Sequence, residues 1–99
     1  MALVEFSVIP VDNNDASMKS TIVSVAEQIK ESGIPYKITD TSTIIEGDMS
    51  DCLNLINNTM VKLSDNHQRI YCDIKIDYHK GKKNRINRQS AVIEDILSQ

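Results

Sequence analysis

Tryptophan is absent from this 99-residue chain, and aromatic residues make up only 4% of it. Ile, Val, Leu and Met must therefore fill whatever interior forms. The two cysteines, Cys52 and Cys72, lack the spacing of a zinc or redox pair. They read as small buried hydrophobes in a reducing, cytoplasmic setting. No stretch approaches the roughly 20 apolar residues that a membrane span needs. The segment Met1–Phe6 has neither the basic start nor the long apolar run of a signal peptide, so no secretory leader is expected. There is no glycine-rich phosphate loop and no metal-ligand spacing. Neither His67 nor His79 has a Cys or Ser nucleophile assignable to it by motif. The formal charge of −3 argues against non-specific binding to nucleic acid or a membrane surface, and mildly favours a cationic ligand.

What is present is ordinary globular composition, 40% hydrophobic and 25% charged. A chain of this length makes one domain, residues 1–99, with a modest core, so added stability from a homo-oligomeric interface is expected.

Residues 3–10 alternate as a strand, with Val4, Phe6 and Val8 on one face and Leu3, Glu5, Ser7 and Ile9 on the other. Pro10 and the polar run Asp12–Asp15 end it, and Asp15 or Ser17 is placed to cap a helix. Met18, Ile22, Val25, Ala26 and Ile29 form that helix's apolar stripe, and Gly33 closes it. A second strand runs from Tyr36 to Thr39, a turn follows at Asp40–Ser42, and a third strand covers Thr43 to Glu46. Asp48 or Ser50 caps a second helix with the stripe Met49, Cys52, Leu53, Ile56, Met60 and Leu63, which Ser64–His67 breaks. A fourth strand, Arg69 to Asp77, turns Ile70, Cys72, Ile74 and Ile76 inward and Tyr71, Asp73, Lys75 and Asp77 outward. A basic loop, residues 79–88, leads to a short helix carrying Val92, Ile93, Ile96 and Leu97. The order predicts an α+β, ferredoxin-like β-α-β-β-α-β antiparallel sheet with two helices on one face, plus a C-terminal helix. Its second face mixes apolar and polar residues, the kind of surface that packs on another subunit or holds a ligand.

Glu46 is the residue out of place. It ends a β-branched strand that reads as buried on both sides, and a carboxylate leaving water needs a cation or several donors. Arg69 or Lys75 would serve as an internal partner; otherwise a ligand supplies one. Acylphosphatase chemistry, which this topology also hosts, is disfavoured because Val11–Asp15 would repel phosphate. The fourth strand lacks the paired aromatics of an RNA-stacking sheet, so the basic loop reads as solvated.

Several segments together resemble the single-domain branch of the YkoF-like thiamine-binding protein family. They are Phe6–Pro10, Lys30–Gly33, Thr43-x-x-Glu46-Gly47-Asp48, Arg69-Ile70 and Ile74–Asp77. The likeness covers nearly the whole chain in the same order. The chain departs from the family pattern at Val11-Asp12, at Tyr78–Lys82 and at Asp73. The resemblance implies a non-catalytic protein that binds thiamine or its hydroxymethylpyrimidine part, with no other cofactor, and that self-associates into dimers or tetramers. On that reading Glu46 accepts from the pyrimidine amine or pairs with a protonated ring nitrogen, and Thr43 or Ser7 supplies a second polar contact. Tyr36, Tyr71 or Phe6 would stack on a ring, with Arg69 among the strand-edge polar groups. Two other readings share this fold: an amino-acid-sensing regulatory module, and a structural subunit whose open sheet face is buried by self-association.

Overall fold

The computed structural model describes residues 1–12, 18–81, 83, 85–86 and 88–99. The expected caps Asp15 and Ser17 lie outside the described residues.

The alternating segment at the start forms β1, Ala2–Pro10, the longest-paired strand of a four-stranded sheet. The remaining elements are α1 (Met18–Glu31), β2 (Tyr36–Ile38), β3 (Thr43–Gly47), α2 (Met49–Leu63), β4 (Ile70–Tyr78) and α3 (Arg88–Leu97). The strands lie in the order β2-β3-β1-β4, every neighbouring pair antiparallel. This is the ferredoxin-like α+β fold, with α3 appended. Strand ends differ from expectation by a residue. β2 stops at Ile38 because the Thr39 hydroxyl turns back into the loop, accepting from Thr41 N at 3.3 Å and Ser42 N at 3.0 Å. β4 begins and ends one residue later than its pattern suggested.

The helix-facing side of β1 supplies Ala2, Val4 and Phe6 to the core, all at most 2% exposed. Ile45 of β3, Ile29 of α1 and Cys52, Leu55 and Ile56 of α2 close around them. Burial pushes the Cys52 thiol up, and the carboxylates of Asp51, Asp48 and Glu46 add to that. α1 ends at Gly33, whose φ of +74° is a left-handed turn that favours glycine. Asp48 holds the N-cap position of α2 with extended backbone but makes no side-chain capping bond.

Three expected apolar stripes are modified. In α2, Leu53 is exposed while Leu55 and Thr59 are buried, Thr59 donating to Leu55 O at 2.8 Å. The inward stripe therefore runs along 52, 55, 56, 59 and 63. In β4, Ile74 and Ile76 share the face of Phe6 and Val4 by register, yet remain 45% and 42% exposed. They are uncovered because α2 lies over β1 and β3 rather than over this edge strand. In α3 no residue is buried, and Ile96 and Leu97 are 62% and 77% exposed. The radius of gyration of 15.0 Å exceeds the roughly 13 Å of a compact chain this long, which places α3 as an arm rather than a packed layer.

Candidate functional site

The ladder between β1 and β3 ends at Phe6↔Thr43, whereas that between β1 and β4 runs on to Pro10↔Ile70. Ser7–Ile9 are therefore paired on one side only. Beside this free edge the amino-terminal half of α1 stands off the sheet, leaving Ile22 58% exposed. The result is a cleft of about 500 Å³, floored by β1, walled by α1 and closed by the β2–β3 turn. Phe6, Val8, Val25, Ile29 and Ile38 make its surface largely apolar. Hydroxyl-bearing residues in that lining are Thr21 on α1, Thr39, Thr41, Ser42 and Thr43 at the β2–β3 turn, and Ser7, whose side chain alternates to the other face of β1 from Phe6. Among the described residues, Asp40 is the one charged residue in that lining. An apolar slot of this size with a few directed polar groups suits a small ring-bearing molecule.

Behind one wall lies a buried polar chain joining three segments. His67 is 7% exposed; its Nδ1 lies 3.0 Å from Asp12 Oδ1 and its Nε2 3.2 Å from Thr21 Oγ1. The second oxygen of Asp12 accepts from Gln68 N at 2.6 Å. That backbone bond, and then the His67 ring, hold the Asp12 carboxyl below the usual carboxylate range.

Glu46 is 4% exposed and lies outside the cleft, on the opposite face of the sheet from Phe6. Its partner is neither Arg69 nor Lys75. Lys75 stands across from Glu5, and Arg69 precedes the far end of β4. Instead the basic loop folds back. Both Glu46 oxygens accept from Arg85 N at 2.9 Å, and Oε1 also accepts from Ile86 N at 3.1 Å. The Arg85 guanidinium reaches Asp77, donating to its carbonyl at 2.6 Å and pairing with its carboxylate at 3.1 Å.

Of the residues singled out from the sequence, Ser7 and Thr43 line the cleft together with Phe6. Tyr36 flanks Ile45 on β2, and Arg69 and Tyr71 engage each other instead. Arg69 donates to the Tyr71 hydroxyl at 2.7 Å and stacks 5.0 Å above its ring. Sequence reasoning missed Thr21, Asp40 and the Asp12–His67 pair. His67 offered one signal, a histidine among helix-breaking polar residues, but its partners lie 46 and 55 positions away. Among the described residues, no cluster of three His, Cys, Asp or Glu could hold a metal, and no helix is long and apolar enough to cross a membrane.

Fold and cleft together define a small ferredoxin-like domain with an apolar, hydroxyl-rimmed pocket. Over residues 4–94 the chain matches the family model described as thiamine-binding protein, and it belongs to that family. It is 27% identical to the UPF0045 protein in the glkA 3'region of Staphylococcus xylosus, covering 99% of this chain and 96% of that one. It is 24% identical to UPF0045 protein MJ1052 of Methanocaldococcus jannaschii, over 95% of this chain and 93% of the relative. The crystal structure of that archaeal protein superimposes with a TM-score of 0.80, over 95% and 96% of the two chains. A proposed thiamine biosynthesis/salvage protein of Thermotoga maritima superimposes with a TM-score of 0.77 at 20% identity, over 91% of this chain and 97% of that one.

Proposed function

We propose that this chain is a non-catalytic binding protein for thiamine or its hydroxymethylpyrimidine part, and that the cleft between α1 and the β2–β3 turn is the ligand's seat. The observation that carries the reading is the composition of that cleft, in a chain of the thiamine-binding protein family. Its apolar floor suits a flat ring, and its ring of hydroxyls offers both donors and acceptors to an aminopyrimidine. Asp40 at the rim offers a carboxylate to a thiazolium cation. Thr43 keeps the contact role assigned from the sequence, joined by Thr21 and Ser42, while the Ser7 side chain alternates to the other face of β1 and the Thr39 hydroxyl is taken up inside the turn. Glu46 serves instead to hold the basic loop, because its oxygens are filled by that loop's amides.

A cytoplasmic setting fits the two free thiols. Self-association into a dimer or tetramer fits the apolar side chains exposed along α3 and β4. These same faces favour a second reading, a subunit that assembles without any small ligand.

Isothermal titration with thiamine, hydroxymethylpyrimidine and thiamine phosphate separates the two. Micromolar binding of thiamine or the free pyrimidine, with the phosphate ester weaker because Asp40 repels it, supports the binding protein. No heat with any of the three, at protein concentrations that detect sub-millimolar affinity, leaves the assembly reading in its place.

A further inference from the structure

The buried chain Asp12–His67–Thr21 has a direction. An ionised carboxylate can only accept, and the Gln68 amide and the histidine ring keep Asp12 in that form. The ring nitrogen facing it, Nδ1, must therefore carry a hydrogen. In a neutral imidazole this leaves Nε2 as a lone pair, so Thr21 Oγ1, 3.2 Å away, has to donate to it. A hydroxyl has one proton to give. With that proton committed to His67, Thr21 has nothing but lone pairs left for the cleft it lines.

Resting on the assignment of the cleft as the ligand seat, we propose that this relay makes Thr21 an acceptor-only contact. It then selects a heteroaromatic ligand bearing an amino donor over the same ring bearing a carbonyl oxygen. A carbonyl placed against Thr21 meets lone pair with lone pair, whereas an amino group completes the chain. When His67 takes up a second proton the direction reverses. Nε2 then donates to Thr21, and the freed hydroxyl hydrogen turns the residue into a donor. Asp12, from the segment after β1, is the charged group shown hydrogen-bonded to the ring among the described residues. Lys19 of α1, Lys62 of α2, and Asp65 and Arg69 of the α2–β4 connection are exposed. Thr21 is thus a specificity-determining residue, and His67 and Asp12 are its positioning residues.

The experiment uses the full chain and two probes, 4-amino-5-hydroxymethyl-2-methylpyrimidine and its 4-oxo counterpart. Each is titrated calorimetrically into wild type, Thr21→Val and Thr21→Ser. The wild type should prefer the amino probe by roughly tenfold, the worth of one well-placed hydrogen bond. Thr21→Ser should keep that preference and Thr21→Val should lose it. A structural role for Thr21 would instead weaken both probes alike. If both probes bind but the wild type shows no preference, or Thr21→Val retains it, the inference falls and the cleft assignment stands. If the wild type binds neither probe, both fall together.

Discussion

Both carboxylate oxygens of Glu46 accept from the backbone N–H of Arg85, each at 2.9 Å. The pair spans the open face of the sheet. Glu46 on β3 and Asp77 on β4 both stand beside Leu3 of β1, and Arg85 bridges them over it by backbone at one end and guanidinium at the other. A buried carboxylate is thereby satisfied by amides, three residues ahead of α3, and its charge sits favourably near that helix's N-terminus.

Replacing Glu46 by Gln removes the charge and turns an amide NH₂ toward the Arg85 backbone donor. Glu46→Gln should lower stability by about 1–3 kcal/mol, the cost of leaving a buried group poorly paired. Denaturant unfolding reads the loss. Hydrogen exchange should localise it, with the Arg85 and Ile86 amides losing protection while the Phe6–Thr43 ladder does not. Because Glu46 lies outside the cleft, thiamine affinity should change less than about twofold.

Ile22 tests the location of the cleft with little disturbance to folding. It is 58% exposed and lines the wall formed by α1, so a larger side chain there occupies ligand space without overpacking the core. Ile22→Trp should abolish the thiamine heat while moving stability by no more than about 0.5 kcal/mol. Retained binding would place the ligand elsewhere.

Asp12 predicts the acid limb of stability. Its hydrogen bonds favour the carboxylate, so folding lowers its pKa. The stabilisation is complete above the unfolded carboxyl range near pH 4 and is lost as pH falls through the lower folded value. Thermal unfolding of wild type and Asp12→Asn should therefore differ most above about pH 5 and converge in stronger acid. A gap that is unchanged down to about pH 2 would mean that Asp12 acts through packing rather than charge.

The fold was legible in the chain because its signals are local. The alternation along Val4–Val8, the Pro and Gly punctuation and the helical spacing on α2 each depend on residues a few positions apart. Glu46 was legible as an anomaly, since an acid ending a β-branched run needs a partner wherever it lands. Its actual partners were not, because backbone amides carry no sequence signature and the loop that brings them is 39 residues away. The cleft was harder still. It arises from β1 outrunning β3 and from α1 standing off the sheet, and neither relative length nor tilt is written in periodicity. Thr43 was named from the sequence as a strand-edge hydroxyl and lines the cleft, whereas Thr21 looked like an ordinary helix residue until His67 was placed beside it.

The exposed apolar residues of α3 and β4 bear on assembly. Ile93, Ile96 and Leu97 on the helix, and Ile74 and Ile76 on the helix-facing side of the edge strand, are between 42% and 77% exposed. Exposed apolar side chains grouped on one helix and on one strand face mark interaction surfaces, and burying each is worth about 1.5–3 kcal/mol. Among the described residues nothing buries either face, so each can be covered by another copy. Wild-type protein should elute as a dimer or tetramer by light-scattering chromatography. Ile96→Lys and Ile74→Lys should each shift the distribution toward monomer with helical content unchanged, because both positions already face solvent in the single chain. If wild type is monomeric at high micromolar concentration, these faces serve a different partner. If Ile96→Lys dissociates the assembly and Ile74→Lys does not, α3 carries the contact and the β4 edge is bare.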